Sequence, residues 1–311
     1  MKYYVLALAA SAALAQSVTN TYATDLNGRR VEAGNSTVAT GGDRTEITQN
    51  INGRRVPLEQ TDEKVVRQDG TTKVVEKTVR KYDRSGQLMS TARQVIEEQT
   101  RPNGSTTHTT TYVTDVNGRL AESQRETTET QKQGSVTRTQ SVVERPTVNG
   151  SFQAVEKREA VTQTSPSGSQ QDQTFYQRSE NGGYVVTARE VKETKHAGNR
   201  TTETTAMYQP LSTSSQLQLT QQNVATTTKR PDGSESIQTD YYGSSWNGQL
   251  RDNESSPQLR GQDVVERTPG PGGSVVETLS TRSPSASDVN KLGPLMKVSE
   301  TICTGKCSRD K

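Results

Sequence analysis

A glycine-marked turn recurs through most of this chain, and no other feature constrains its fold as much. Gly86, Gly118, Gly150 and Gly182 stand 32 residues apart. Gly53 precedes them, and Ser215 and Gly248 continue the series. A second series, Gly70, Gly104, Gly134, Gly168, Gly198, Gly233 and Gly272, falls roughly midway between members of the first. Asn-Gly and Asp-Gly are strong hairpin signals, because a two-residue type I′ loop needs positive φ at both central positions. Asn117-Gly118 in TDVNGRL is therefore expected to form a type I′ corner, with Asp115 as its hydrogen-bonding support. Each segment between turns then reads as a strand of about ten residues.

Side chains recur in register with the turns. Leu88, Leu120, Phe152, Tyr184, Leu217 and Leu250 follow the first-series turns, while Tyr112, Val142, Tyr176, Tyr208 and Tyr241 follow the second. Those two positions meet near the same end of a hairpin. A third apolar position, including Val95, Val161, Val191 and Val224, precedes the second-series turns. Between these patches lie Thr, Gln, Glu, Lys and Arg, without strict alternation. Only 28% of the chain is apolar and 4% aromatic, too little for a thick two-layer core. The net charge of +3 and the abundance of Thr and Val argue against disorder.

The expected fold is all-β: an elongated antiparallel β-meander of repeated hairpins, about 32 residues per two-strand repeat, forming a ribbon-like or gently coiled single-layer sheet. The expected organisation is a signal peptide over 1–15, an irregular cap over 16–45 and a hairpin array over 46–250. A degenerate terminal repeat over 251–282 and a poorly ordered tail over 283–311 complete it. Lys2, the apolar run after it and Ala13-Leu14-Ala15 have the form of a secretory signal cleaved after Ala15. No apolar run long enough for a spanning helix follows. In an exported chain, Cys303 and Cys307 in CTGKC are expected to form a local disulfide, with intermolecular pairing as the alternative.

At PNGSTTHTTTYVTDVNGRL (102–120) and KYDRSGQL (81–88) the chain resembles the YD repeats of the Rhs family, whose units join a glycine turn, a Thr/Tyr-rich strand and a Tyr-Asp pair to Gly-Arg-Leu. That resemblance implies β-hairpin repeats and a surface or secreted role. The strands here are longer between turns, the Tyr-Asp pair occurs once, and no compact cargo domain follows residue 250.

Catalysis finds little support. His108 lies in a strand of hydroxyls and His196 at a turn, and neither has a nucleophile or carboxylate motif beside it. Asp25, Asp83 and Asp115 recur three residues before a turn glycine and could hold calcium if stacked, but an Asx-type hydrogen bond is the simpler use. No cofactor or metal is expected. With 38 basic and 35 acidic side chains intermixed, nucleic acid is not an expected partner.

An outer-membrane barrel requires a lipid-facing row and aromatic girdles, whereas RETTETQKQGSVTRTQ and SGSQQDQT would carry charge into hydrocarbon. On that ground no membrane span is expected. The function read from sequence is a secreted, non-enzymatic scaffold or adhesive element of the cell surface or matrix, assembling with itself through sheet edges. The alternative is a carbohydrate- or protein-binding module using Tyr112, Tyr176, Tyr208, Tyr241, Tyr242 and Trp246. A polysaccharide-acting enzyme is the remaining reading.

Overall fold

The computed structural model describes residues 15–24, 30–41, 43–51, 54–115, 117–210, 216–243, 258–285 and 291–305. Its elements are β1 (Ala15–Thr24), β2 (Arg30–Gly41), β3 (Arg44–Ile51), β4 (Arg54–Asp69), β5 (Thr72–Tyr82) and β6 (Leu88–Arg101). They continue with β7 (Gly104–Thr114), β8 (Leu120–Gln133), β9 (Val136–Pro146), β10 (Phe152–Ser165), β11 (Gly168–Arg178) and β12 (Tyr184–Ala197). The last six are β13 (Arg200–Pro210), β14 (Leu217–Lys229), β15 (Glu235–Gly243), β16 (Gln258–Pro269), β17 (Val275–Arg282) and β18 (Met296–Gly305). A short 3-10 turn, Pro271–Gly273, is the one other regular element among the described residues.

Every strand pairs antiparallel with the next, and β1 pairs with β18, so the sheet closes on itself. Thr19 lies opposite Cys303 across that seam and Thr21 opposite Thr301. The result is an up-and-down barrel of 18 strands. This corrects the expected open ribbon. The physical reason is edge satisfaction: closure pairs the free N–H and C=O rows that a ribbon would leave at each end. At a strand spacing near 4.8 Å and an ordinary barrel tilt, 18 strands make a wall about 35 Å across.

The two ends of the barrel differ. At one, here the turn end, two-residue loops begin with Gly70, Gly134 or Gly198 at positive φ, between the paired residues Asp69 and Thr72, Gln133 and Val136, and Ala197 and Arg200. At the other, the loop end, the connections are longer except between Ile51 and Arg54. The Asp83 amide donates to the Gln87 carbonyl at 2.9 Å and the Gly86 amide to the Asp83 carbonyl at 3.0 Å, with Gly86 at φ 87. Asp115 and Arg119 close an equivalent loop around Gly118, as do Thr147 and Ser151 around Gly150. These are three-residue loops ending in a left-handed glycine, so the type I′ corner expected at Asn117-Gly118 is replaced by this longer form.

Each of the nine hairpins joined at the loop end also carries a register shift. In four of them the unpaired extra residue is Met89, Ser123, Thr187 or Thr220. The hydroxyls of three donate across to the opposite strand's carbonyl: Ser123 to Thr111 at 3.1 Å, Thr187 to Phe175 at 3.3 Å and Thr220 to Met207 at 3.1 Å. A bulge raises local twist and bends the strand, and a ring of them supplies curvature for closure. Because an extra residue also reverses the inward and outward phase, the sequence shows no unbroken alternation.

All of β1 but Ala15, all of β2 and the start of β3 lie within 16–45, and β18 lies within 283–311. The proposed signal segment falls almost entirely outside the described residues, as do Asp25, Gly53, Trp246, Gly248 and Cys307.

Candidate functional site: lumen and loop-end rim

A closed wall has a concave and a convex face, and side chains crowd on the concave one. Along β9, Ser141 and Val143 are buried, Val143 to 2% exposure, whereas Arg138 and Gln140 on the opposite face are exposed. Along β8, Glu126, Thr128 and Thr130 share the shielded face, and Arg125, Glu129 and Gln131 share the exposed one. The face of Ser141 and Val143 is therefore the lumen wall. Short outer residues beneath longer neighbours, such as Thr106 and Ala206, are buried as well.

The lumen wall is polar. Thr128 and Ser141 share a hydroxyl hydrogen bond at 2.8 Å, and Thr130 and Thr139 one at 3.4 Å. Its charges are matched across strands: Arg145 with Glu156 at 2.8 Å, Lys192 with Glu203 at 2.9 Å, and Arg267 with Glu277 at 2.7 Å and Glu235 at 3.2 Å. Tyr241 also faces inward and donates to Asp263 at 3.0 Å.

The outer wall has two zones. Near the loop end it carries Tyr22, Tyr82, Tyr112, Tyr176, Tyr184, Tyr208 and Tyr242, each within three residues of a strand terminus. Seven of the eight described tyrosines thus share one face and one rim, Tyr241 being the exception. Leu88 lies opposite Tyr82, Leu120 opposite Thr114, Leu217 opposite Pro210 and Leu259 opposite Tyr242, which fills the gaps with aliphatic side chains. Leu88 and Leu120 are 56% and 45% exposed.

Next to this belt, Arg93, Arg125, Lys157 and Arg189 recur every 32 residues. Each sits over an aromatic ring: Arg93 over Tyr112 at 5.9 Å, Arg125 over Phe152 at 3.9 Å, Lys157 over Tyr176 at 5.5 Å and Arg189 over Tyr208 at 5.9 Å. Each also has a carboxylate partner. Arg93 meets Glu76 at 2.9 Å, Arg125 meets Glu122 at 2.5 Å, Lys157 meets Glu159 at 2.6 Å, and Arg189 grips both oxygens of Asp172. Beyond them toward the turn end, a shallow outer hollow is lined by Glu159, Val161, Gln163, Gln170, Asp172, Thr174 and Arg189.

Tyr112, Tyr176, Tyr208 and Tyr242 therefore gather on the outer rim, while Tyr241 is separated from them by the wall. Tyr241 and Tyr242 are consecutive on β15 and so face opposite sides of the wall; the sequence reading put all five in one row because it aligned the segments on their glycines rather than on strand alternation. Asp83 accepts from the Ser85 amide at 2.8 Å, the Ser85 hydroxyl at 2.6 Å and the Gln87 amide at 2.9 Å. The Asp115 carboxylate accepts from the Asn117 and Arg119 amides at 2.8 Å each. Both carboxylates thus serve the Asx role, and the Ser85 hydroxyl leads in holding the Asp83 carboxyl below its ordinary range. Among the described residues no group of three or more His, Cys, Asp or Glu gathers as a metal site. His108 meets the Thr127 hydroxyl at 3.1 Å and His196 the Thr201 hydroxyl at 3.2 Å. Cys303, on β18, is disulfide-bonded.

No protein-family model matches this sequence, and no curated protein matches it. Solved structures do. One substituted variant of the Rh. blastica porin superposes with a TM-score of 0.52 at 8% identity, covering 94% of this chain and 99% of that one. A second variant gives a TM-score of 0.52 at 10% identity over the same shares. The fold is that of a porin barrel. The likeness to YD/Rhs repeats is accordingly corrected: hairpins do repeat, but they close into a barrel rather than stacking as an open array. The scaffold or adhesive reading and its self-assembly through sheet edges needed an open ribbon and fall with it; the free secreted placement, drawn from the signal-like N-terminus and the rejection of a barrel, is corrected by the barrel itself. The aromatic-row binding module falls as well, because the wall divides its residues. The exclusion of a membrane span is likewise withdrawn, since it rejected an architecture the chain adopts.

Proposed function

We propose that the chain forms a porin-like pore: a water-filled barrel held in a membrane of the outer-membrane kind, passing small hydrophilic solutes along its lumen. The observation that carries this reading is the closure of 18 strands, because side chains fill barrels of about eight strands but leave an aqueous channel in barrels of 16 to 18. Hydroxyls and matched charges on the inner wall suit uncharged polar solutes and ions of either sign. The aromatic belt supports membrane contact, since amphipathic rings collect where lipid meets water. An unpaired Arg or Lys facing mid-bilayer costs about 2–4 kcal/mol, so the reading also requires the outer cations to keep their carboxylate partners.

Planar-bilayer recording on the purified full chain tests this. Stepwise, ohmic conductance with weak discrimination between potassium and chloride is the expected result. Bilayers that stay sealed, with the protein left in the aqueous fraction on liposome flotation, would overturn it.

A further inference from the structure

The geometry points to a docking station on the lumen wall, between Tyr241 and Arg260, for a carboxylate carried on a flat apolar ring, of the benzoate type. This inference rests on the pore reading, which gives solutes access to the lumen, and it names one class among those the lumen admits. Tyr241 is the one inward-facing tyrosine among the described residues. Its hydroxyl donates to Asp263 at 3.0 Å, and its ring lies against Gly261, where an added Cβ would stand 3.7 Å from Cδ2. Held at both points, the ring is a pre-positioned surface for a flat apolar group.

Arg260 supplies the charge. It is the extra residue of the bulge at which Tyr241 pairs with Gly261 and Tyr242 with Leu259. Gly243 faces the lumen two residues beyond Tyr241, and a Cβ on it would meet Arg260 Cγ at 3.8 Å, so the arginine leaves the wall on the lumen side. Its Nε is buried without a hydrogen-bond partner, and the side chain makes no ion pair or ring contact among the described residues. Arg267, the other arginine on the inner face of β16, is by contrast held by Glu277 and Glu235. Buried donors are nearly always paired, so this open guanidinium calls for an acceptor that arrives with the solute. Nε and one Nη present the two parallel donors that a carboxylate accepts.

Spacing joins the two groups. Arg260 Cγ reaches the level of Gly243, two residues from Tyr241, an offset of about 7 Å at ~3.3 Å per residue. An arene bonded directly to a carboxylate spans that offset, with its ring on Tyr241 and its oxygens at the guanidinium. Gly243 and Gly261 keep the wall beneath free of side chains. Asp263 lies on the other side of Gly261 along β16 and already accepts from the tyrosine hydroxyl, so the incoming carboxylate is kept apart from it. A bare anion lacks the ring contact and a neutral arene lacks the charge.

Saturation-transfer NMR on the full chain folded in detergent tests the assignment, with benzoate, acetate and benzyl alcohol as probes. Benzoate should give a saturable signal and the other two little. Arg260→Gln should weaken benzoate binding roughly tenfold or more, as loss of charge-assisted hydrogen bonds does. Tyr241→Leu should weaken it roughly threefold to tenfold, and Arg138→Gln, on the exposed outer face, should leave it unchanged. Circular dichroism verifies the β content of each variant. Benzoate bound equally by Arg260→Gln and the parent chain, acetate bound as well as benzoate, or no benzoate signal at all would overturn the station. Conductance on the same preparation reads the pore separately: open channels without benzoate binding overturn the station alone, and sealed bilayers with benzoate still bound overturn the pore reading alone.

Discussion

A Cβ placed on Gly104 would lie 1.9 Å from the carbonyl oxygen of Thr130 on the adjoining strand, and Gly168 stands in the same relation to Thr194. These glycines follow the two-residue turns at 102–103 and 166–167, where β7 and β11 start against β8 and β12. The atom in the way is backbone, so neither neighbour can swing aside.

Gly104→Ala and Gly168→Ala should each destabilise the barrel, by about 1–3 kcal/mol, as overpacking does. Gly134→Ala, with nothing within 4 Å but a φ of 60, should cost less, about 1 kcal/mol, from conformation alone. Chemical denaturation of the three variants checks the order; equal costs would contradict it.

The Asp83 and Asp232 carboxyls are both held below their ordinary value of 3.8, chiefly by the hydroxyls of Ser85 and Ser234. A depressed folded pKa contributes stability that is present above the unfolded value and is lost as pH falls through the folded one. The double variant Asp83→Asn with Asp232→Asn keeps an acceptor oxygen but cannot titrate. Denaturation midpoints between pH 6 and pH 2 should fall less steeply for it than for the parent chain. Parallel curves would count against these turns as acid-sensitive points.

Arg189 donates to Asp172 from Nε at 2.8 Å while its side chain remains 44% exposed. A double-mutant cycle with Arg189→Ala and Asp172→Ala should give a coupling of about 0.2–1 kcal/mol, smaller in 1 M salt. Zero coupling at low salt would mean the pair does not hold in solution.

The bulge hydroxyls form a third class of contact. Replacing Thr187 or Thr220 by Val keeps the branched shape and removes the bond to Phe175 or Met207. Each change should cost about 0.5–1.5 kcal/mol, read from the denaturant midpoint. The same replacement at exposed Thr164, for which no side-chain bond is seen, serves as the reference and should cost less.

The strands and their period were legible in the sequence because glycine is needed where the loops of Gly86, Gly118 and Gly150 turn left-handed. The meeting of Leu88 and Leu120 with the tyrosines at one hairpin end was legible as well. Closure was not. It depends on β1 finding β18, a pairing of Thr19 with Cys303 across nearly the whole chain, and local pattern carries no record of it. The division of Tyr241 from Tyr242 follows from strand alternation alone, and aligning the segments on their glycines, which brought neighbouring residues into one position, passed over it. Charged segments such as 125–140 argued against any barrel, because that argument weighed charges singly. Many outer charges are matched, within a strand as Arg125 is by Glu122 or across strands as Arg93 is by Glu76.

Closure of the wall is the claim on which the lumen, the rim and the pore all depend, and hydrogen exchange along β1 and β18 tests it most directly. In a closed barrel both strands are paired on both sides, so their amides should be protected to about the degree of those in β9 and β10. Exchange of alternate β1 and β18 amides at the rate of unpaired edges, with β9 and β10 still protected, would show an open sheet and contradict the account.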